Sequence, residues 1–95
     1  MAMFVLMCVD YPGALERRMT AREAHLAYVG ERLAMVKAAG PLLDDAGQMA
    51  GSMFIIEAPD KAAVEAFSAA DPYRLANVFE RVEVRAWKVT VGALA

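Results

Sequence analysis

Apolar residues run without interruption from Phe4 to Val9, and Asp10 and Pro12-Gly13 end the run. A short continuous stretch of this kind, with β-branched members, predicts a strand buried on both faces. Pro-Gly marks the segment 10–19 as a loop. The pattern then changes period: Leu26, Val29, Leu33 and Val36 recur at spacings of three and four, the stripe of an amphipathic helix. Thr20 followed by Glu23 reads as a capping box, so the helix is expected from about Thr20 to Ala39. Gly40-Pro41 would stop it, with Gly just past the end and Pro beyond. Leu42-Leu43 predicts a brief second strand, Asp44-Asp45-Ala46-Gly47 a turn, and Gly51 to Glu57 a third strand hairpinned to the second. Pro59-Asp60 announces a second helix, with Asp60 as N-cap and Val64 and Phe67 facing the core. It should end near Ala70, because the residue before Pro72 resists helical angles. Asp71-Pro72-Tyr73 makes a corner, Arg74 to Glu80 a short helical turn, and Val82 to Val89 the last strand, with Val91 to Ala95 as a tail.

The order β-α-β-β-α-β defines the α+β class and the ferredoxin-like arrangement, an antiparallel sheet with two helices on one face. Helices can cover only one face. The first strand and Met53 to Ile56 are apolar on both, so the uncovered face is expected to meet a second copy, giving a homodimer through the sheet.

Composition sharpens this picture. A chain of 95 residues suits one domain, taken here as 1–95. Its hydrophobic fraction of 59% against 23% charged residues agrees with apolar surface reserved for another subunit. The net charge of −2 supplies no field for nucleic acid or an acidic membrane, and the strands lack the exposed aromatics that base stacking needs. One cysteine, Cys8, forbids an intrachain disulfide and a cysteine zinc site; with a single histidine, no dedicated metal site and no cofactor are expected. The first apolar run is too short to span a bilayer and has no basic region before it, which makes the cytoplasm the expected location.

Candidate chemistry gathers at Arg17, Arg18, Arg22 and His25. Imidazole titrates near neutrality and suits a general base or acid, provided a carboxylate fixes its tautomer. Arg22 lies one turn before His25 and is the candidate for gripping a carboxylate or phenolate. Arg17 and Arg18 read as a solvated face, and Asp10 as a loop-opening turn residue in preference to a second carboxylate near the pocket. Cys8 reads as a small core residue, and Tyr73, Phe79 and Trp87 as core or pocket wall. Ser52 follows Gly51 at a strand start and lacks the Gly-x-Ser-x-Gly setting of a nucleophile. Asp71 taken alone is an ordinary turn opener, and no spacing rule ties it to His25.

Taken together, several segments resemble the YCII-related (YciI-like) domain family. They are Leu15-Glu16-Arg17-Arg18 to Arg22-Glu23-Ala24-His25-Leu26, Ala39-Gly40-Pro41-Leu42 with Gly51-Ser52, Ala70-Asp71-Pro72-Tyr73, and Phe79 to Trp87-Lys88. The resemblance implies a dimeric ferredoxin-like fold akin to the dimeric α/β barrels of muconolactone isomerase. It also implies an active site on a His–Asp pair, carried here by His25 and Asp71, with Ser52 as a nearby polar group. One related branch is a dehydrochlorinase of chlorinated hydroxyquinols, which points to small aromatic substrates. The family usually has Gly after Asp-Pro-Tyr where this chain has Asn77, the next residue most tolerant of positive φ.

The expectation is therefore a cofactor-independent enzyme in which His25 and Asp71 move a proton on a small cyclic or aromatic, anionic substrate. Arg22, Ser52 and Tyr73 would hold that substrate, and the chemistry would be lyase-, isomerase- or dehydrochlorinase-like. The alternative from another class is a non-catalytic ligand-binding or assembly module with the same fold.

Overall fold

A computed structural model describes residues 1–93. Its elements are β1 (Ala2–Asp10), α1 (Leu15–Gly30), β2 (Val36–Leu43), β3 (Met49–Ala58), α2 (Lys61–Ala69), α3 (Pro72–Leu75) and β4 (Phe79–Trp87). The four strands form one antiparallel sheet in the order β2-β3-β1-β4, and the helices pack on one of its faces. This is the ferredoxin-like α+β arrangement expected from the sequence.

Register explains which side chains go inside. Cys8 stands opposite Ser52 and Val82, Leu6 opposite Phe54 and Val84, and Phe4 opposite Ile56 and Ala86. Because side chains alternate along a strand, these rows share the helix-covered face. There they build the core with Val29, Val64, Phe67, Tyr73, Val78 and Phe79. The other face carries Met3, Val5, Met7 and Val9 of β1, all only half-buried, beside Met53 of β3. Burial of β1 on both faces thus holds for one face of the single chain.

The first helix departs from expectation. It begins at Leu15, five residues earlier, after Ala14, which supplies no side-chain cap. Thr20 lies inside it and returns its hydroxyl to the Glu16 carbonyl at 3.0 Å, a bond within a helix rather than a cap. The face that packs inward carries Arg18, His25 and Val29, whereas Leu26 and Leu33 of the expected apolar stripe are exposed. Gly40-Pro41 does not stop a helix: both sit within β2, an edge strand, where a proline costs no ladder bond toward the sheet interior.

The second half follows the sequence closely. Asp44 Oδ1 accepts from the Ala46 and Gln48 backbones and shapes the β2–β3 turn. Asp60 caps α2 through the Ala63 N–H at 2.9 Å. The helical turn foreseen over 74–80 lies earlier, as α3 over Pro72–Leu75: the expected corner at Pro72-Tyr73 opens the helix instead, Asn77 follows it at φ 58°, and Phe79 and Glu80 already belong to β4. β4 starts three residues earlier than expected, at Phe79. Of the expected tail over 91–95, residues 94 and 95 lie outside the described residues.

Candidate active site

Two sequence-distant carboxylates organise the site, one from each side of α1. Asp71 is the N-cap of α3, and its Oδ1 accepts the Tyr73 N–H at 2.9 Å. The same oxygen lies 2.8 Å from His25 Nδ1. A cap fixes a side chain against its own backbone, so the oxygen offered to His25 is already immobilised. Both residues are buried. A carboxylate only accepts, so Nδ1 donates to it, and in the neutral form of the ring the lone pair is on Nε2. Among the described residues no buried side-chain nitrogen or oxygen is left without a partner. Nε2 has no partner of its own, so it reaches solvent, in the cavity that His25 lines.

The second carboxylate is Asp10, at the end of β1. The sequence reading preferred a turn residue to a second carboxylate near the pocket and placed Arg18 on a solvated face; the structure favours the second reading of Asp10 and moves Arg18 into the interior. Arg18 is 1% exposed and meets Asp10 in a fork, Nε to Oδ2 at 2.8 Å and Nη2 to Oδ1 at 2.9 Å. Nη2 also donates to Ser52 Oγ at 2.9 Å. The signal that could have found this pair is their position, since the end of β1 and the first turns of α1 must be neighbours once a short loop joins them. Burial alone would depress the Arg18 guanidinium, but the bonds and charge of Asp10 outweigh it and hold the group above its ordinary value.

Tyr73 joins the two halves. Its ring stacks on the His25 imidazole, centroids 3.9 Å apart and planes 14° from parallel. The Arg18 guanidinium carbon lies 4.5 Å from the centre of the same ring. Burial raises the Tyr73 phenol above its usual range and the Arg18 charge opposes the rise, so the hydroxyl stays protonated at neutral pH. Arg17 takes no part in the cavity; it is exposed and donates through Nε and Nη2 to the Asn77 carbonyl, tying α1 to the turn after α3.

These groups line a cavity of about 260 Å³ between α1, β2 and β3. Arg18, Arg22, His25, Ser52 and Tyr73 supply its polar wall; Leu26, Val29, Leu33, Pro41 and Phe54 are among the apolar residues that complete it. Arg22, Ser52 and Tyr73, expected to bind substrate, therefore share one cavity with His25, while Asp71 stands behind the imidazole. Cys8 lies beneath the site on the same sheet face, fully buried, and burial pushes its thiol from 9.0 up to about 12. Among the described residues no three His, Cys, Asp or Glu side chains form a metal-binding group, and no helix is long and apolar enough to cross a membrane.

Fold and cavity together define a ferredoxin-like α+β protein with a small polar-floored pocket between its first helix and its sheet. Its sequence matches the YCII-related domain family over residues 2–88, and the chain belongs to that family. It is 34% identical over 99 aligned positions to the protein YciI of Escherichia coli O6:H1, an alignment covering 90% of this chain and 96% of that one. Among solved structures it is similar to 5-chloro-2-hydroxyhydroquinone dehydrochlorinase (TftG) of Burkholderia phenoliruptrix AC1100, in complex with 2,5-dihydroxybenzoquinone. The TM-score is 0.83 at 34% identity, over 90% of this chain and 93% of that one. An antibiotic biosynthesis monooxygenase superposes with a TM-score of 0.57 at 16% identity over 96% of this chain and all of that one, a likeness of fold alone.

Proposed function

We propose that the protein is an enzyme that moves a proton on a small cyclic or aromatic anion, with His25 as general base and acid and Asp71 as its orienting carboxylate. The observation that carries this reading is the 2.8 Å bond from His25 Nδ1 to a capped, buried carboxylate, with Nε2 left open to the cavity. A base needs its lone pair turned toward substrate and its other nitrogen held, and this arrangement does both. The proton leaves the substrate for Nε2, and either returns at another atom or is lost together with a leaving group. Neither course needs an electron carrier. The similarity to TftG favours the second course, loss of a proton and a halide from a hydroxylated ring.

In this reading Arg22 holds the anionic group, since it lines the cavity and has no hydrogen-bond partner among the described residues. Chains pair through the half-buried apolar face of the sheet, formed by Met3, Val5, Met7, Val9 and Met53. Sedimentation that finds only monomer at micromolar concentration would contradict that pairing.

The test is anaerobic incubation with 5-chloro-2-hydroxyhydroquinone and a panel of small phenols and lactones, following chloride release and solvent-deuterium uptake. Wild type should turn over at least one of them, and His25→Ala should lose ~10²–10⁴-fold in rate while still binding it. Saturable binding with no turnover in wild type would favour the ligand-binding module instead.

A further inference from the structure

One end of the cavity is untouched by the chemistry assigned to His25. Arg18, Arg22 and Ser52 lie toward the start of α1 and the Asp10 end of the sheet. Leu26, Val29, Gly30, Leu33, Ala39 and Phe54 line the stretch toward the end of the helix, and none of them carries a polar side chain. Arg22, Leu26 and Gly30 follow one another at four-residue steps, so they share one side of α1. Arg22 and Gly30 are then about 12 Å apart along its axis. Opposite them, Ala39 of β2 pairs with Phe54 and so points to the helix-covered side of the sheet.

Three features of this arm do nothing to hold the chain together. Leu26 and Leu33 are 50% and 63% exposed on its rim, although both are large and apolar. Ala39 is exposed on the face where Phe54, its partner on β3, is buried, so the helix layer stops short of β2 here. Gly30 ends α1 outside the left-handed region, and a Cβ added to it would meet nothing within 4 Å. A glycine in a helix is destabilising relative to alanine, and neither backbone nor crowding calls for one at this position. Its effect is to keep the arm wide. The whole cavity, at about 260 Å³, also exceeds the roughly 150 Å³ that encloses a benzene ring. A single ring beside His25 leaves the arm unfilled.

We propose that the arm takes an alkyl substituent of the substrate, so that the ligand is an anionic ring with a short saturated chain opposite its charged group. This rests on the proton-transfer reading, which puts the ring beside the His25 imidazole, and it narrows the substrate class. Arg22 holds the anionic end, and the chain packs among Leu26, Leu33 and Ala39, covering leucine surface that the free protein leaves in water. Gly30 and Ala39 are specificity-determining residues. They set the length of chain accepted and take no part in proton transfer.

The probes are benzoate and its 4-methyl, 4-ethyl and 4-propyl derivatives, with binding to wild type read by calorimetry at neutral pH. Each added carbon should tighten binding by about two- to fourfold. Ala39→Leu and Gly30→Leu should bind benzoate as wild type does and lose the gain from ethyl onward. Both positions are exposed, and either variant suffices if the other fails to fold. The proposal is overturned if affinity is flat or falls along the series, if 4-propylbenzoate shows no saturable binding up to millimolar concentration, or if the gain survives in the folded leucine variants. It is likewise overturned if those variants lose benzoate itself, which would put the ring in the arm. A Leu33→Ser variant that keeps the gain and dissociates an oligomer would overturn it too, making a second copy of the chain the occupant. No turnover enters the readout. Chain-dependent binding by a protein that turns over no substrate would sustain the arm against the proton-transfer reading, and His25-dependent turnover with a flat series would do the reverse.

Discussion

The imidazole of His25 lies flat on the phenol ring of Tyr73 at 3.9 Å, and the backbone N–H of that same tyrosine donates to the carboxylate oxygen that holds His25 Nδ1. One residue therefore fixes the histidine twice, by its face and through Asp71. Asp71 is held by the cap it provides to α3, and Arg17 ties the end of α3 to α1. The histidine sits on α1, so the loop of contacts closes on itself.

Tyrosine 73 can be dissected accordingly. Tyr73→Phe keeps the stack and the N–H bond to Asp71 and should leave stability within about 1 kcal/mol, close to the net worth of an ordinary hydrogen bond. Tyr73→Ala empties a buried ring and should cost about 3–5 kcal/mol in urea denaturation. Equal losses in the two variants would mean that the hydroxyl, not the ring, secures the site.

Strand β3 reaches the site at its tightest backbone approach. A Cβ added to Gly51 would lie 2.5 Å from the Cys8 carbonyl oxygen, and backbone has nowhere to yield. Gly51→Ala should therefore part β1 from β3 next to Ser52, costing about 1–3 kcal/mol. It should also weaken ligand binding more than a surface change such as Lys61→Ala. Stability and binding equal to wild type would show that the strands separate freely here.

Alkaline pH tests the burial of Cys8. Its thiol is raised from 9.0 to about 12 in the folded chain, chiefly by burial. The folded state thus retains a proton that the unfolded state loses, and stability falls as pH rises through that window. Between pH 9 and 10 the Cys8 thiol should cost wild type roughly 1 kcal/mol per pH unit, and the raised phenols of Tyr28 and Tyr73 add to the loss as pH approaches their ordinary value of 10.0. Cys8→Ala should give a flatter profile. Parallel slopes for the two proteins would remove Cys8 as the cause.

Asn77 occupies a left-handed conformation at φ 58°. Asn77→Gly should match or slightly exceed wild type in stability, while Asn77→Val should cost about 1–2 kcal/mol because a branched side chain is disfavoured there. Thermal melts at neutral pH separate these outcomes, and an undiminished Val variant would mean the turn can relax.

These features were unequally visible in the chain. Asp60 declares itself because a cap is a local bond between neighbours, and β1 because its apolar run has no polar competitor. The first helix misleads for a physical reason. Its inward face carries Arg18 and His25, so apolar periodicity picks out Leu26 on its exposed side and Leu33 in the turn beyond its end. Its start has no side-chain cap, and Thr20 with Glu23 imitates one. The partnership of Arg18 with Asp10 escaped because a bidentate pair is made by the fold, and each member alone looks like surface. The pairing of His25 with Asp71 was accessible only through family resemblance, since nothing in the spacing brings α1 and α3 together.

The most direct test of the central claim is the tautomer of the single histidine, read from two-bond ¹H–¹⁵N correlations at neutral pH in wild type and in Asp71→Asn. Asparagine caps a helix about as well as aspartate, so the substitution leaves α3 in place and changes only what faces the imidazole. The account predicts a proton fixed on Nδ1 in wild type, with Nε2 bare toward the cavity, and loss of that fixed form in the variant. A wild-type proton on Nε2, or a tautomer mixture that Asp71→Asn leaves unchanged, would contradict it.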